Sequence, residues 1–445
     1  MDYSQSSVDQ TSARLQAAIS DLFTVHDVTL GLPREPEAIR LRGQLQIPSE
    51  RAYPELAERF RAEGYTVVLR HDAEMDLDVI LALPGVAAEA PPSRVWINGV
   101  LYVATILSTL YAGALSSGEI PPGVTDAEAL LWALTHIWTG WPFALSIMII
   151  LTGHELGHYF LGRHHKVAVT LPYFIPLPIS PLGTMGAFIA MKERTVNRRQ
   201  MLNIAVAGPL TGLVLTIPVL IIGLALSEVR PIAMPAPGMA ASYEGNSILY
   251  LLAKLAVFGK ILPGSGSPAT VWQALSEAGA ALLGTFPIDR GYDVFIHPVA
   301  WAGWAGLLVT ALNLLPVGQL DGGHIVYSLI GQRAKILTWP IIAMCLVLGL
   351  LTWPGWLLWA ALIFFFGQGH PDPLDDVTRL STGGKVLAVL MLIVFVLTFA
   401  PMPFRTVAGP SPLGEGGAPT DCLAAAGVVL AAGWLAWRRR QHLLN

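Results

Sequence analysis

The stretch WPFALSIMIILTGHELGH, residues 141–158, begins as an uncharged apolar run and ends with two histidines and a glutamate. On an α-helix, His154 and His158 are four residues apart and therefore project from one face, about one turn apart. Glu155 lies beside them. This H-E-x-x-H arrangement is typical of helices in which two imidazoles bind zinc and the glutamate acts as general base. The alternative is a buried polar network that holds helices together.

The composition predicts an integral membrane protein. Of the 445 residues, 53% are hydrophobic and 13% are charged, and the mean hydropathy is +0.55. An ordinary soluble domain carries about 25% charged residues. The net charge of −4 gives none of the basic surface that nucleic-acid binding requires, so no nucleic-acid partner is expected.

A membrane helix needs about 20 apolar residues, and several stretches reach or approach that length. The candidate spans are 98–117, 132–162, 201–226, 299–330, 336–352, 354–367, 385–401 and 421–437. The pair 336–352 and 354–367 is short and predicts either a tight hairpin or one broken span. Residues 248–262 carry two lysines and fit an interfacial helix better than a span. NIAVAGPLTG, residues 203–212, places small residues where helices pack closely.

We therefore expect a polytopic α-helical membrane protein with about eight spans, preceded by a small α+β soluble domain. The domain occupies residues 1–93, the membrane core follows at 94–402, and 403–445 predicts a loop, a last membrane helix and a basic cytoplasmic tail. In the first domain the hydrophobic pattern predicts a strand at 37–46, a helix at 49–64 and two strands at 65–72 and 76–85. The domain is either a passive appendage or a regulatory or substrate-recruiting module.

A catalytic zinc site usually has three protein ligands and an open fourth position, so a further ligand has to come from another part of the chain. The candidate is Asp321 in VTALNLLPVGQLDGGH, residues 309–324, because a carboxylate at the end of an apolar stretch needs a compensating charge. Gly322 and Gly323 would let the backbone approach the metal closely. His324 is the alternative third ligand, or a hydrogen-bonding neighbour of the ligands. We expect one Zn²⁺ per chain.

Two stretches predict irregular backbone at membrane depth, which is tolerated where protein shields it or where it lines a polar cavity. Asn313 and Pro316 indicate that the later apolar helix is interrupted. The proline-rich stretch 170–200 predicts a re-entrant loop or a short sheet, and GTMGAFIAM, residues 183–191, has strand character. An exposed strand edge would hold an extended substrate by backbone hydrogen bonds; the alternative is a packed structural loop. The candidate substrate-binding residues are Gly183, Thr184, Gly186 and Phe188.

Charge in the loops predicts the orientation. The loop 118–128 has three acidic residues and no lysine or arginine, so it should face outward, whereas the basic loop 163–200 should face the cytoplasm. The basic residues in 331–335 and 437–441 fall on the same inner side. Both termini are therefore expected in the cytoplasm. The N-terminus lacks the pattern of a secretory signal, so we expect insertion through the first membrane helix into a bacterial cytoplasmic membrane.

These motifs together resemble the site-2 protease family, the intramembrane zinc metalloproteases. HELGH matches the family's first motif, and Asn313, Pro316, Asp321 and Gly322 match its second, Asn-x-x-Pro followed by Asp-Gly. The further pattern GTMGAFI…NRR…AVAGPLTG is similar to a subgroup of bacterial proteins and plastid proteases linked to ethylene-dependent gravitropism. The resemblance covers roughly residues 95–400.

The resemblance implies that His154, His158 and Asp321 bind zinc and that Glu155 is the general base. It also implies that Asn313 positions the substrate or stabilises the oxyanion. Transmembrane proteins in the lipid bilayer would be the substrates, in regulated intramembrane proteolysis. The rivals are a zinc-binding membrane chaperone or adaptor with negligible turnover, and a transporter, which would distribute ionisable residues over several helices. The sequence leaves open whether the chain forms a homo-oligomer.

Overall fold

The structure is a computed structural model that describes residues 2–33, 35–86, 94–121, 124–231, 240–261, 270–285, 292–367 and 372–408. The last predicted span at 421–437 and the basic residues in 437–441 lie outside the described residues.

An α+β unit comes first, as the alternating pattern of its strands predicts. Its elements are α1 (Asp2–Ala18), β1 (Phe23–Leu32), β2 (Glu35–Leu45), α2 (Ser49–Ala62), β3 (Tyr65–Asp72) and β4 (Leu77–Pro84). The strands form an antiparallel sheet in the order β1-β2-β4-β3. Leu56 and Phe60 of α2 are fully buried in one core with Leu41 and Ile80 of the sheet. The predicted α+β region is confirmed; its boundary at residue 93 stays a prediction.

The rest of the described chain is mainly helical. Its helices are α3 (Val95–Leu115), α4 (Asp126–Thr135), α5 (Trp141–His164), α6 (Arg198–Ala225), α7 (Ile248–Phe258), α8 (Val271–Leu282), α9 (Pro298–Asn313), α10 (Asp321–Ile330), α11 (Thr338–Leu351), α12 (Gly355–Phe366) and α13 (Thr382–Thr398). Short 3₁₀ turns, Ile137–Gly140 and Gly331–Leu337, precede α5 and α11.

Four helical stretches of the described chain are long and apolar enough to cross a membrane: α3, residues 137–164, α6 and residues 321–351. Three further apolar helices, α7, α12 and α13, are shorter. The chain thus has the helices of a polytopic membrane protein, but the count of about eight spans is not confirmed.

Two of the predicted membrane stretches contain the interruptions that the sequence indicates. The stretch 299–330 is two helices, because α9 ends at Asn313 and α10 begins at Asp321, with turns over residues 314–320. Pro316 lies in this break, as its missing N–H predicts. The pair 336–352 and 354–367 forms a tight hairpin, in which α11 and α12 share one apolar core.

Short paired strands lie in the segments that connect or follow the helices. β5 (Tyr173–Pro176) and β6 (Thr184–Phe188) pair antiparallel between α5 and α6, which confirms a short β segment in the proline-rich stretch. β7 (Glu228–Pro231) pairs with β9 (Tyr292–Phe295), and β8 (Ala240–Glu244) pairs with β10 (Phe404–Ala408).

Lys254 of α7 is buried, with 3% of its surface exposed, and the interfacial position of residues 248–262 stays a prediction. Its Nζ lies 3.7 Å from Glu244 Oε1 and donates a hydrogen bond to Asn246 Oδ1 at 3.2 Å. The ammonium also lies 4.2 Å from the centroid of the Tyr250 ring. A buried cation needs such partners, and this one ties α7 to β8.

Three helices position the candidate site. α5, α6 and α9 pack together around an apolar core that includes Ile147, Leu151, Leu213, Leu220, Ala302 and Leu308. The regular geometry of these helices then presents polar side chains of α5 and of the end of α9 to the same interior region.

Candidate metal centre

α5 carries the two histidines and the glutamate into the protein interior. His154, Glu155 and His158 are 3%, 4% and 6% exposed. The helix ends at His164, ten residues after His154, which is about 15 Å at 1.5 Å per residue. Ionisable groups at such depth are costly unless they are paired, so these side chains require partners.

Asp321, the first residue of α10, supplies that partner. Its Oδ2 lies 3.5 Å from His154 Nε2 and 3.2 Å from His158 Nε2. The two imidazole Nε2 atoms are 3.3 Å apart. Among the described residues, these three form a group whose ligand atoms all lie within 4.8 Å of one another. The structure thus brings together the three residues that we predict as metal ligands.

The geometry of this metal group, His154, His158 and Asp321, fits zinc. Ligand atoms about 2.0–2.1 Å from a tetrahedral zinc lie about 3.3–3.4 Å from one another. The three distances here are 3.2, 3.3 and 3.5 Å. Imidazole nitrogen and carboxylate oxygen are both donors that zinc accepts. His158 Nδ1 donates to the Ile204 carbonyl at 2.7 Å, an assignment that leaves Nε2 as the ligand atom.

The turn between α9 and α10 delivers Asp321 to the metal group. A Cβ atom on Gly322 would lie 2.0 Å from the Leu314 carbonyl oxygen, and one on Gly323 would lie 2.4 Å from that of Gly318. The start of α10 therefore packs directly on the backbone of the turn. These glycines were expected to let backbone approach the metal, whereas the structure uses them to fold the turn tightly behind Asp321.

Asn313 and a cavity complete the surroundings. Asn313 Nδ2, at the end of α9, lies 3.2 Å from His154 Nε2. A cavity of about 180 Å³ opens onto the metal group, and Glu155 and Asn313 line it. His324 also lines the cavity but does not belong to the three mutually close residues, so the geometry favours Asp321 over His324 as third ligand.

Helix α6 lies against both imidazoles through glycine. A Cβ atom on Gly208 would lie 2.0 Å from His158 Nε2, and one on Gly212 would lie 3.1 Å from His154 Nδ1. We read these small residues in the sequence only as aids to helix packing. Their place beside the metal ligands was missed, although the four-residue spacing of Gly208 and Gly212 repeats that of the histidines.

Among the predicted substrate-binding residues, Phe188 lies at the site. Phe188 is 50% exposed and lines the cavity together with Ala187. Within the described chain, β5 is the strand that pairs with β6, on one edge. Gly186 has φ +102°, and a Cβ atom there would meet open space.

Gly183 and Thr184 have structural contacts instead. The Ser108 hydroxyl of α3 donates to the Gly183 carbonyl oxygen. Gly183 has φ +67°, and a Cβ atom there would lie 2.5 Å from the Ser108 carbonyl oxygen. Thr184 Oγ1 donates to the Ile175 carbonyl oxygen at 2.9 Å, across the hairpin. These two residues hold the hairpin together and against α3.

Comparison with known families gives an independent observation. Residues 142–352 match the family described as Peptidase family M50. This stretch is a peptidase family M50 domain. The M50 domain runs from the first turn of α5 to the end of α11 and contains every residue of the metal group, together with Glu155 and Asn313.

The relatives extend the match beyond the M50 domain. The chain is 31% identical over 334 residues to "Probable zinc metalloprotease EGY1, chloroplastic" of Arabidopsis thaliana, covering 71% of this chain and 55% of the relative. It is 27% identical over 369 residues to "Probable zinc metalloprotease EGY2, chloroplastic" of the same plant, covering 82% and 59%. The chain thus spans little more than half the length of these relatives. No solved structure gave a significant match.

The matches confirm the predicted resemblance to the site-2 protease family, and the relatives are named as zinc metalloproteases. The metal group of this chain could hold such an ion. The relatives are named as chloroplastic, so the bacterial cytoplasmic membrane stays a prediction. The roles of the individual site residues also stay predictions.

Proposed function

We propose that this chain is an intramembrane zinc endopeptidase that hydrolyses peptide bonds within or near the transmembrane helices of membrane proteins. The observation that carries the proposal is the zinc-compatible group of His154, His158 and Asp321, with Glu155 beside it at a cavity among apolar helices. A structural zinc site is usually closed by four protein ligands. Among the described residues this group has three, as a catalytic site does.

Each group at the site has a separate role in the proposed hydrolysis. When bound, zinc supplies a Lewis acid that polarises a carbonyl and makes water more acidic. Glu155 takes a proton from the attacking water and passes it to the leaving amine. Because Glu155 is only 4% exposed, bulk water has little access to the proton that it holds between these steps. The Ile204 carbonyl keeps the His158 ring in its ligating orientation.

Asn313 and β6 position the substrate in this proposal. The Asn313 amide donates to the carbonyl oxygen on which negative charge develops, as oxyanion-stabilising groups do. Its Nδ2 lies within 3.2 Å of His154 Nε2, which supports a place at the reacting bond. An unwound substrate would add along the edge of β6, with a side chain against Phe188.

We further propose that transmembrane proteins are cleaved in regulated intramembrane proteolysis, with the N-terminal domain on the cytoplasmic side of a bacterial membrane. β3 hydrogen-bonds to residues 374–376, which in turn pair with the chain that enters α6, and Val196 packs on the core of the N-terminal domain; this supports one shared face for both. At their other ends, α6 and α13 lead to β8 and β10, which pair with each other. This arrangement supports the separation of inner and outer sides that loop charge predicts.

The test compares zinc content with cleavage of a fluorogenic transmembrane-helix peptide by the purified chain in detergent. Wild type should hold about one zinc and cleave. Glu155→Gln should keep the zinc and lose about 10²–10⁴-fold in rate. Asn313→Ala should keep the zinc and lose about 10²–10³-fold in kcat. Asp321→Ala should lose the zinc.

His164→Ala is the matched control, because it removes an exposed imidazole from the end of the same helix. It should keep both zinc and cleavage. Wild type that binds zinc but cuts no membrane peptide would instead favour the chaperone or adaptor. An Asp321→Ala variant with full zinc and full activity would make His324 the third ligand.

A further inference from the structure

Residues 372–378, between α12 and α13, join the N-terminal domain to the membrane core, and we call them the docking segment. Leu69 of β3 donates its N–H to the Leu374 carbonyl at 2.8 Å and accepts from the Asp376 N–H at 3.1 Å. Arg70 Nη1 donates to a neighbouring carbonyl of the same segment at 2.9 Å. The docking segment is thus added in parallel to the edge of β3.

The opposite edge of the docking segment pairs with the chain that enters α6. The Leu374 N–H donates to the Thr195 carbonyl at 3.0 Å, and the Asp375 N–H donates to the Val196 carbonyl at 2.6 Å. Leu374 and Val196 both pack on the apolar core of the N-terminal domain. The hydrogen-bonded sheet therefore continues from the soluble domain to Thr195, a residue that lines the cavity of the metal group.

A buried carboxylate fixes the conformation of the docking segment. Asp375 is fully buried, and its Oδ1 accepts from the backbone N–H groups of Val377 at 3.0 Å and Thr378 at 3.1 Å. The Thr378 hydroxyl lies 2.8 Å from the Ser49 hydroxyl at the start of α2. Side chains as well as backbone therefore build this contact.

Arg198 links the docking segment to two helices. It is the first residue of α6, and its Nε donates to Asp376 Oδ1 at 2.7 Å. The two side chains are 18% and 8% exposed. The guanidinium carbon lies 5.9 Å from the ring centroid of Tyr327 on α10. A shielded arginine–carboxylate pair with an aromatic contact has a defined geometry that a mobile surface pair lacks.

The same two helices support the metal group. Ile204, whose carbonyl orients His158, lies six residues after Arg198 on α6. Tyr327 lies six residues after Asp321 on α10. Six residues of helix span about 9 Å, so a shift of either helix at Arg198 is transmitted to a ligand or to its orienting carbonyl.

We propose that docking of the N-terminal domain holds the metal group in its competent geometry, with Arg198 as the positioning residue between the docking segment and helices α6 and α10. The kinetic part of this inference rests on the proposed function, whereas the part that concerns zinc affinity does not. A partner that bound the undocked domain would shift the equilibrium away from the competent state. The N-terminal domain would then be a regulatory module.

The test measures the zinc Kd of the full chain by competition with a chelator. Loss of groups that orient metal ligands typically weakens affinity or activity about 10–100-fold. We expect Arg198→Ala and Leu374→Asp each to weaken zinc binding about tenfold, toward the lower end of that range. The double variant should be no weaker than either single change, because both act through one contact. In the cleavage assay, both single variants should have a lower kcat than wild type and an unchanged KM.

The neighbouring pair provides a matched control. Arg199 pairs with Glu50 of the N-terminal domain at 2.6 Å, but its side chain is 40% exposed. Arg199→Ala should leave the zinc Kd within about twofold of wild type, as expected for a surface pair. Exchanging the partners, Arg198→Asp with Asp376→Arg, should recover zinc affinity relative to Arg198→Asp alone, which a general loss of stability would not.

Amide hydrogen exchange shows whether the domain has undocked. Leu374→Asp should speed exchange at Leu69 and Asp375 while Phe60, in the domain core, stays protected. Fast exchange at Leu69 with an unchanged zinc Kd would overturn the proposal, as would equal effects of Arg198→Ala and Arg199→Ala. If Leu374→Asp unfolds the domain, the test rests on whether Arg198→Asp with Asp376→Arg recovers the zinc affinity that Arg198→Asp alone loses. Wild type without cleavage would contradict the proposed function only, because zinc affinity and exchange still measure the coupling.

Discussion

Gly208 and Gly212 are the residues on which the close contact between α6 and the two imidazoles depends. A Cβ atom on Gly208 would lie 2.0 Å from His158 Nε2, the atom assigned as ligand, whereas one on Gly212 would lie 3.1 Å from the His154 ring. Only the first distance forces the ligand atom itself to move. The two positions therefore differ in a way that can be measured.

Gly208→Ala should reduce zinc binding at least about tenfold, as for other changes next to metal ligands. Gly212→Ala should have a smaller effect, since a displacement of a few tenths of an ångström relieves the contact. Gly99→Ala in α3 is the control, because a Cβ atom there meets nothing within 4 Å. Zinc content after dialysis measures all three; equal zinc in Gly208→Ala and Gly99→Ala would contradict the prediction.

At this scale the sequence reveals residues whose chemistry conflicts with their surroundings. Burying an ionisable group in an apolar segment is costly unless the group has a partner or a function. For this reason the sequence singles out His154, Glu155, His158 and Asp321. Arg198 does not stand out, since the predicted orientation already explains a basic residue at an end of a span that is expected to face the cytoplasm. Its contacts with Asp376 and Tyr327 depend on tertiary structure that no local pattern contains.

At the scale of elements, the docking segment carries the buried Asp375. Burial raises the pKa of Asp375 above its ordinary value of 3.8, although hydrogen bonds from Thr378 and Val377 favour the ionised form. An acid whose pKa is raised by folding stabilises the folded state most below its unfolded pKa. That contribution is lost as the pH rises through the folded-state pKa. We therefore predict that docking weakens from acid toward neutral pH.

Asp375→Asn should remove this dependence, because asparagine does not ionise and still offers an oxygen to the Val377 and Thr378 amides. Exchange at Leu69, corrected for its intrinsic pH dependence, measures docking between pH 4 and 7. Asp76→Asn, at a side chain that is 96% exposed, serves as control and should keep the wild-type pH profile. The same profile in Asp375→Asn would show that another group is responsible.

Elements that pair locally could be predicted, and elements that pair over long distances could not. The strands of the N-terminal domain follow from alternation, and the break between α9 and α10 follows from Pro316. By contrast, β8 and β10 are five residues each, and most of the membrane helices lie between or before them in the sequence. Neither has enough residues to show a period, so their partnership exists only in the folded chain.

At the scale of the whole molecule, the chain has two distinct faces. The N-terminal domain, the docking segment and the start of α6 meet on one face, and the β8–β10 pair joins the far ends of α6 and α13 on the other. This separation agrees with the orientation predicted from loop charge. It predicts that Ser20, in the N-terminal domain, and Ser242, in β8, lie on opposite sides of the membrane.

Cysteine labelling measures this directly, in a background with Cys345 and Cys422 replaced by alanine. An impermeant maleimide should label Ser242→Cys on intact cells, whereas Ser20→Cys should be labelled only after the membrane is permeabilised. Both serines are exposed in the structure, so access is not limited by packing. Labelling of Ser20→Cys on intact cells would reverse the proposed orientation.

The contact between β3 and the docking segment also determines the order in which the protein is completed during synthesis. Arg70 and the carbonyl that it contacts at Pro373 are 303 residues apart, so α3 to α12 are made before the edge of β3 receives its partner. Until then that edge is open to pairing with other chains. The carboxylate partner of Arg198 is also absent from the growing chain. In the proposed function, the protease would therefore remain inactive until the docking segment has been made, which protects neighbouring membrane proteins from an incomplete enzyme.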